Sequence, residues 1–191
     1  MSHTAAWERF LDPDVVRPSL FLATMFIAAF EILRDSVVDD VRGFYISGFG
    51  EDGSIVDSEY RSKVLSRNNS PLYASLGWLR EHGAINEDDL EKFEQLKKTR
   101  NLLAHELFGV VSGQVESAHE QQFDDLIALL RKIGVWWVIN VEIPTNPDFA
   151  GNDIKEEDIV PGAVLTLEML IQVASGNTEL IERWRKARAR V

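Results

Sequence analysis

The chain contains no cysteine, and basic residues are scarce in its 191 positions. Without cysteine there is no disulfide, no thiolate nucleophile and no Cys-based zinc site. Lys and Arg number 20 against 31 Asp and Glu, so the net charge is −11. This charge argues against a broad nucleic-acid-binding surface, because phosphates are repelled at long range, but it is compatible with a small local basic site.

A leader peptide and a long apolar run are also missing. Residues 1–16 have neither a basic start nor an apolar core, so no secretory signal is predicted. The most apolar stretch, residues 20–30, is followed at once by Glu31, whereas a bilayer span needs about 20 apolar residues. We therefore expect a core helix here, no membrane partner and a cytoplasmic protein.

The usual motifs for phosphates, metals and serine nucleophiles are absent as well. The glycines of residues 43–54 match neither GxxxxGK[ST] nor GxGxxG, so this segment is predicted to be a flexible loop. Histidines stand at positions 3, 82, 105 and 119, without a metal-binding spacing. No metal site and no cofactor is predicted.

What the sequence does contain is helical periodicity. Helices are predicted over residues 19–42, 70–83, 86 to 109 or 113, 117–141 and 161–174, with 57–68 as a further short helix. Ser70, Pro71 and Asn86 are typical of helix starts. Residues 135–143 are rich in β-branched and aromatic side chains, but they continue a helical pattern. The predicted fold class is all-α, a bundle of five to six helices.

We divide the chain into an irregular lead-in (1–17), one helical-bundle domain (18–176) and a basic C-terminal tail (177–191). The tail ends in RWRKARARV, with five basic residues and no acidic one. Such a cluster suits nucleic acid, a helix C-terminus or the protein's own acidic surface. The adjacent Trp136 and Trp137 indicate a helix buried on two sides, by a large core or by a dimer interface.

The motif with the most chemical potential is TRNLLAH, residues 99–105. On a helical wheel Arg100 lies inside an apolar arc, while Asn101 and His105 share a different face. A charged group on an apolar face is costly unless it is paired or reaches water. One interpretation is therefore structural, with the guanidinium paired to a carboxylate or extended to the surface. The predicted apolar arc consists of Phe93, Leu96, Leu103, Ala104, Leu107 and Val111.

The other interpretation is catalytic. His105 could exchange a proton with an RNA 2′-hydroxyl, Arg100 could stabilise the charge on the scissile phosphate, and Asn101 could orient either group. These groups suffice for metal-independent RNA cleavage. Arg100 and His105 are about 140° apart on the wheel. They would converge only with a bent helix end, a long reach by Arg100 or a cleft between two chains.

The string RNLLAH (100–105) resembles the Arg-x4-His motif of the HEPN superfamily, and residues 70–105 resemble its mannitol-operon-repressor-like group. The resemblance implies a HEPN-like helical bundle that is often a dimer. In many HEPN ribonucleases of toxin–antitoxin and phage-defence systems, the arginine and histidine are the catalytic pair. The mannitol-repressor-like members are regulators. Leu107 stands where antitoxin-modified HEPN toxins have a tyrosine, so control by modification at that position is not expected.

Two functions are predicted from these residues. The first is a HEPN-like regulatory or interaction protein of the mannitol-repressor-like kind, which forms a homodimer and acts through protein contacts. The alternative is a metal-independent ribonuclease in which Arg100, Asn101 and His105 act on RNA bound in a local cleft. The acidic net charge favours the first function.

Overall fold

The computed structural model describes residues 3–51, 53–149 and 154–188. The chain is 78% helical, which confirms the all-α prediction. Its main helices are α1 (His3–Leu11), α2 (Pro13–Phe44), α3 (Ser58–Lys63), α4 (Pro71–Glu81), α5 (Glu87–Val111), α6 (His119–Trp137), α7 (Gly162–Ala174) and α8 (Glu179–Arg188). A π-helical segment (Val138–Glu142) and one helical turn (Ile143–Thr145) extend α6, and short 3-10 turns occupy Leu65–Arg67, Pro147–Phe149 and Glu156–Asp158.

Helix α2 is the centre of the bundle. It begins at Pro13, and the Asp12 side chain caps it by accepting the Asp14 N–H at 2.9 Å. Helices α4, α5, α6 and α7 all pack against it. The side chains that α2 buries recur at helical spacing, as the sequence pattern predicts. They are Ala23, Met25, Phe26, Ala29, Phe30, Leu33, Val37 and Val41.

The predicted starts of α4 and α5 are confirmed. Pro71 occupies the first turn of α4, and Gly83 lies just beyond its end with a φ of 76°. At α5, Asn86 and Asp89 form a reciprocal capping box with distances of 3.0 and 2.8 Å. These local signals fix the two helices that carry the TRNLLAH motif and the segment before it.

The segment 135–143 is helical, and a large aromatic core accounts for its two tryptophans. Trp137 stacks on Trp78 with ring centroids 5.7 Å apart, and Trp136 meets Trp78 edge-on at 6.1 Å. Trp78 Nε1 donates a hydrogen bond of 3.0 Å to the hydroxyl of Tyr45. The two sides of α6 are therefore both covered within one chain.

The structure corrects the prediction of an irregular lead-in. Residues 3–11 form α1, and its Trp7 and Phe10 pack against Phe108 at the end of α5 with centroid distances of 5.7 and 4.7 Å. A nine-residue helix is too short to be stable alone in water. The contact with Phe108, distant in sequence, accounts for the helix that local pattern did not reveal.

The predicted flexible loop is also corrected, because much of it forms a hairpin. Strand β1 (Ile46–Gly50) pairs antiparallel with β2 (Gly53–Val56), from Ile46 opposite Val56 to Gly50 opposite Gly53. Gly53 has a φ of 109°, which side-chain-bearing residues rarely adopt. In the predicted tail, residues 179–188 form α8, while residues 189–191 lie outside the described part of the chain.

By length and composition, α2 could cross a membrane, and 28% of its most apolar window is buried in the fold. The segments Glu156–Ala174 and Glu179–Lys186, which meet at a bend of 109°, are together also long and apolar enough to cross one. The core helices of many folded proteins are equally long and apolar. In this chain α2 is the helix against which five others pack: α1, α4, α5, α6 and α7.

Candidate functional site

Arg100 spans the contact between α5 and α2. Its Nε donates a 2.8 Å hydrogen bond to Oε1 of Glu31, and its Nη2 donates to the same oxygen. Arg34, one turn after Glu31 on α2, forms an ion pair with the other oxygen, Oε2. The side chains of Arg100 and Glu31 are 29% and 27% exposed, so this cluster lies half-buried at the helix contact. Glu31 therefore compensates two guanidinium groups at once.

Asn101 is adjacent to this cluster and contacts it directly. Its Oδ1 accepts a 3.1 Å hydrogen bond from Nη1 of Arg100. All three nitrogens of the guanidinium thus have an acceptor, two at Glu31 and one at Asn101. These contacts use three of the five N–H donors of the guanidinium, and the Glu31 carboxylate neutralises much of the charge that would attract a phosphate.

His105 is exposed on α5. Among the described residues it forms no hydrogen bond or ion pair with Arg100 or Asn101. The helix does bend, since Glu106 has non-helical angles of φ −122° and ψ 26°. This bend follows His105 and so does not turn its imidazole back towards Arg100. The structure brings Arg100 and Asn101 together and leaves His105 outside.

The apolar arc of α5 also differs from the helical-wheel prediction at one residue. Phe93, Leu96, Leu103 and Val111 are buried as expected, but Ala104 is exposed. The arc is therefore narrower than predicted, but Arg100 still lies inside it, between Leu96 and Phe93 on the wheel. This position lets the guanidinium reach Glu31 without being fully buried.

No family model, curated protein or solved structure matches this chain. The HEPN resemblance and the functions that it implies therefore remain predictions, based on residues 70–105.

A second site, which the sequence did not predict, is a cleft between α2, the end of α6 and the start of α7. Its volume is about 360 Å³. Asp40 and Glu142 contribute carboxylates, Ser36 contributes a hydroxyl, and Trp137 contributes an indole ring. We call it the acidic cleft. Its other lining residues are apolar or glycine: Leu130, Ile133, Gly134, Val138, Val160, Pro161, Gly162 and Ala163.

The surroundings of Asp40 disfavour the charged form of its carboxyl group. Partial loss of solvent and the neighbouring charges of Asp39 and Glu142 raise the pKa of Asp40 to about 6. Asp40 stays exposed by surface area at the mouth of the cleft, so solvent screening keeps the effect on folding stability small. Strongly shifted carboxyl groups in clefts are more common at functional sites than elsewhere.

The sequence carries one signal for the acidic cleft, a pair of acidic residues near the end of a helix. Asp39 and Asp40 lie close to the C-terminal end of α2, which ends at Phe44. Acidic residues are unfavourable there because the helix dipole is negative at that end. Glu142 stands at the end of the π-helical segment that extends α6, and π-helical segments occur often at functional sites. Only the fold shows that these two helix ends face one cleft.

A third feature is an apolar face on α7. This helix buries only Val164 and Leu167. On the wheel its exposed apolar residues share an arc of about 140° that lies outside the buried one. Glu168 is the single charged residue of the helix. We call this exposed arc the α7 face; it consists of Leu165, Met169, Leu170 and Val173.

Proposed function

We propose that this protein acts by protein–protein contact, as a homodimer whose two copies pair through the α7 face, and not by chemistry at Arg100. The observation that carries the proposal is that α7 is apolar on two sides. Its buried side meets α2 and α6, while Val173 and Leu165 on the other side are 58% and 46% exposed. A helix that is apolar nearly all round is normally buried nearly all round.

The charge distribution supports a second copy as the occupant. The chain is strongly acidic overall, and like charges would keep two copies apart at most surfaces. The α7 face has no charge of its own, so two such faces can meet without burying an unpaired ion. A two-fold axis would place the same patch on both copies, as in most homodimers.

Helix α8 adds to this interpretation. It follows α7 at a bend of 109° and leaves Ile181 and Trp184 exposed. Its basic residues Arg183, Arg185, Lys186 and Arg188 outnumber its two acidic ones. The body of a second copy offers both an apolar surface and the negative charge that this helix complements.

The test is the oligomeric state of the full chain between about 1 and about 100 µM, a range in which dimers of moderate affinity dissociate. We expect the wild type to sediment as a dimer and the Val173→Glu variant as a monomer, because the glutamate would bury an unpaired charge. The matched control is Ile55→Glu, which alters an equally exposed apolar residue on β2. This control should remain dimeric.

Two outcomes would overturn the proposal. One is a wild-type protein that is monomeric across this range. The other is a dimer that Val173→Glu leaves intact, because the interface would then lie elsewhere. Vesicle flotation tests a competing occupant. If α7 and α8 bind anionic vesicles and Val173→Glu abolishes that binding while the protein stays monomeric, the apolar face serves a membrane and the homodimer proposal is wrong.

A further inference from the structure

The acidic cleft has an unusual balance of charge. A smaller cavity of about 260 Å³ adjoins it and shares Asp40, Trp137 and Glu142, and it adds Asp39 and Phe44. Neither lining includes a lysine, arginine or histidine. The carboxylates of Asp40 and Glu142 form no hydrogen bond or ion pair with any described residue. Their negative charge is left without a partner in the part of the chain that the structure describes.

A metal ion is not the partner that this geometry favours. Within residues 3–51, 53–149 and 154–188, no three His, Cys, Asp or Glu side chains lie close enough together to hold one. Carboxylates that are spread along a cleft suit a larger cation, whose charge is distributed over several atoms. The aromatic rings also favour an organic cation, because organic ammonium ions bind against Trp and Phe faces. Phe44 and Trp137 lie 6.1 Å apart at this position, with their rings tilted by 50°.

Trp137 provides a second, independent indication of a ligand. The residue is 6% exposed, and its indole Nε1 has no hydrogen-bond acceptor among the described residues. Buried donors without a partner are rare in folded proteins. The first turn of α7, at Gly162 and Ala163, lines the same cleft and has no side-chain cap. The indole N–H of Trp137 and the backbone N–H groups of this first turn are hydrogen-bond donors that an oxygen atom would satisfy.

The walls of the cleft are held in place by close packing. Gly134 of α6 lies against Pro161, which precedes α7, and a Cβ at Gly134 would come within 2.5 Å of the proline ring. This contact fixes the start of α7 against α6 without filling the cleft. Such a preformed cavity limits the ordering cost of binding a small molecule.

The geometry points to a binding site for a small ammonium compound that also carries a neutral oxygen, as an amino alcohol does. The ammonium group lies between Asp40 and Glu142 against the Trp137 ring, and the oxygen accepts from the donors at Trp137 and the start of α7. The oxygen is assigned as neutral because a carboxylate or phosphate would be repelled by Asp39, Asp40 and Glu142.

The experiment uses the full chain and ethanolamine, choline, glycine and 1,2-ethanediol as probes. Binding is followed by calorimetry and by the indole N–H signal of Trp137 in ¹⁵N-labelled protein, assigned with Trp137→Phe. We expect ethanolamine and choline to bind, ethanediol not to bind because it lacks the charge, and glycine to bind at least several-fold more weakly. Asp40→Asn and Glu142→Gln should each weaken ethanolamine binding about five- to tenfold.

The matched control is Asp124→Asn, which removes an exposed carboxylate of α6 outside the cleft; its ethanolamine affinity should equal that of the wild type. The proposal is overturned if neither amine shifts the Trp137 signal at about 50 mM, well above the weak affinities of small ligands. It is equally overturned if ethanediol binds as well as ethanolamine, or if the two cleft variants bind as the wild type does.

A lipid headgroup would bring the same amine attached to a phosphate. We expect no cosedimentation with vesicles of phosphatidylethanolamine, because the phosphate would meet three carboxylates at the cleft. Vesicle binding that free ethanolamine competes away would overturn the assignment to a free amine.

Discussion

The Arg100 guanidinium and the Glu31 carboxylate hold α5 to α2, and this pair can be tested by mutation. Arg100→Met keeps most of the aliphatic stem and removes the charge, which leaves Glu31 half-buried with Arg34 as its remaining partner. We expect a loss of about 1–2 kcal/mol in the free energy of unfolding, typical of a hydrogen bond to a charged group. Urea unfolding, followed by circular dichroism, gives the value.

The double variant Arg100→Met/Glu31→Met serves as the control for that measurement. Replacing both partners by apolar side chains removes the stranded carboxylate, so the double variant should lose less stability than the single one. If Arg100→Met is as stable as the wild type, the guanidinium does not hold the helices together and is available for another role.

At the scale of whole helices, Gly134 determines how closely α6 and α7 approach. An added Cβ would clash with the ring of Pro161 at 2.5 and 2.8 Å. Alanine favours a helix over glycine by about 1 kcal/mol, but here overpacking should outweigh that gain. We expect Gly134→Ala to destabilise the fold by about 1–3 kcal/mol, as measured by urea unfolding.

Gly77 is the matched control, because it also lies inside a helix. A Cβ at Gly77 of α4 would meet only Arg67 Cδ, at an ordinary contact distance of 3.8 Å. Gly77→Ala should therefore stabilise the protein by about 0.5–1 kcal/mol. A Gly134→Ala variant that gained stability as Gly77→Ala does would show that Pro161 yields freely and that the α6–α7 contact is loose.

Among the helices and strands, only those with local signals could be predicted from the sequence. Helices α4 and α5 were predictable because Pro71 and the Asn86 capping box are local signals. Helix α1 and the β1–β2 hairpin were not, since a nine-residue helix and a two-stranded sheet depend on distant contacts for stability. The odd position of Arg100 was visible on a wheel, but its partner Glu31 is 69 residues away. The acidic cleft also required the fold, because its carboxylates come from the ends of two helices.

For the whole molecule, net charge and local geometry act together against RNA chemistry. The acidic chain repels a polyanion at long range, and the one guanidinium of the motif is already compensated by Glu31. We expect the purified wild-type protein to leave labelled RNA intact in EDTA, under conditions where its unfolding curve shows that it is folded. Glu31→Gln, which frees Arg100 of its carboxylate, should not create cleavage because, among the described residues, His105 forms no hydrogen bond or ion pair with Arg100. RNA cleavage by the wild type that is lost in both Arg100→Met and His105→Ala, with each variant folded, would contradict the non-enzymatic proposal. It would show that Arg100 leaves Glu31 and joins His105 when RNA binds.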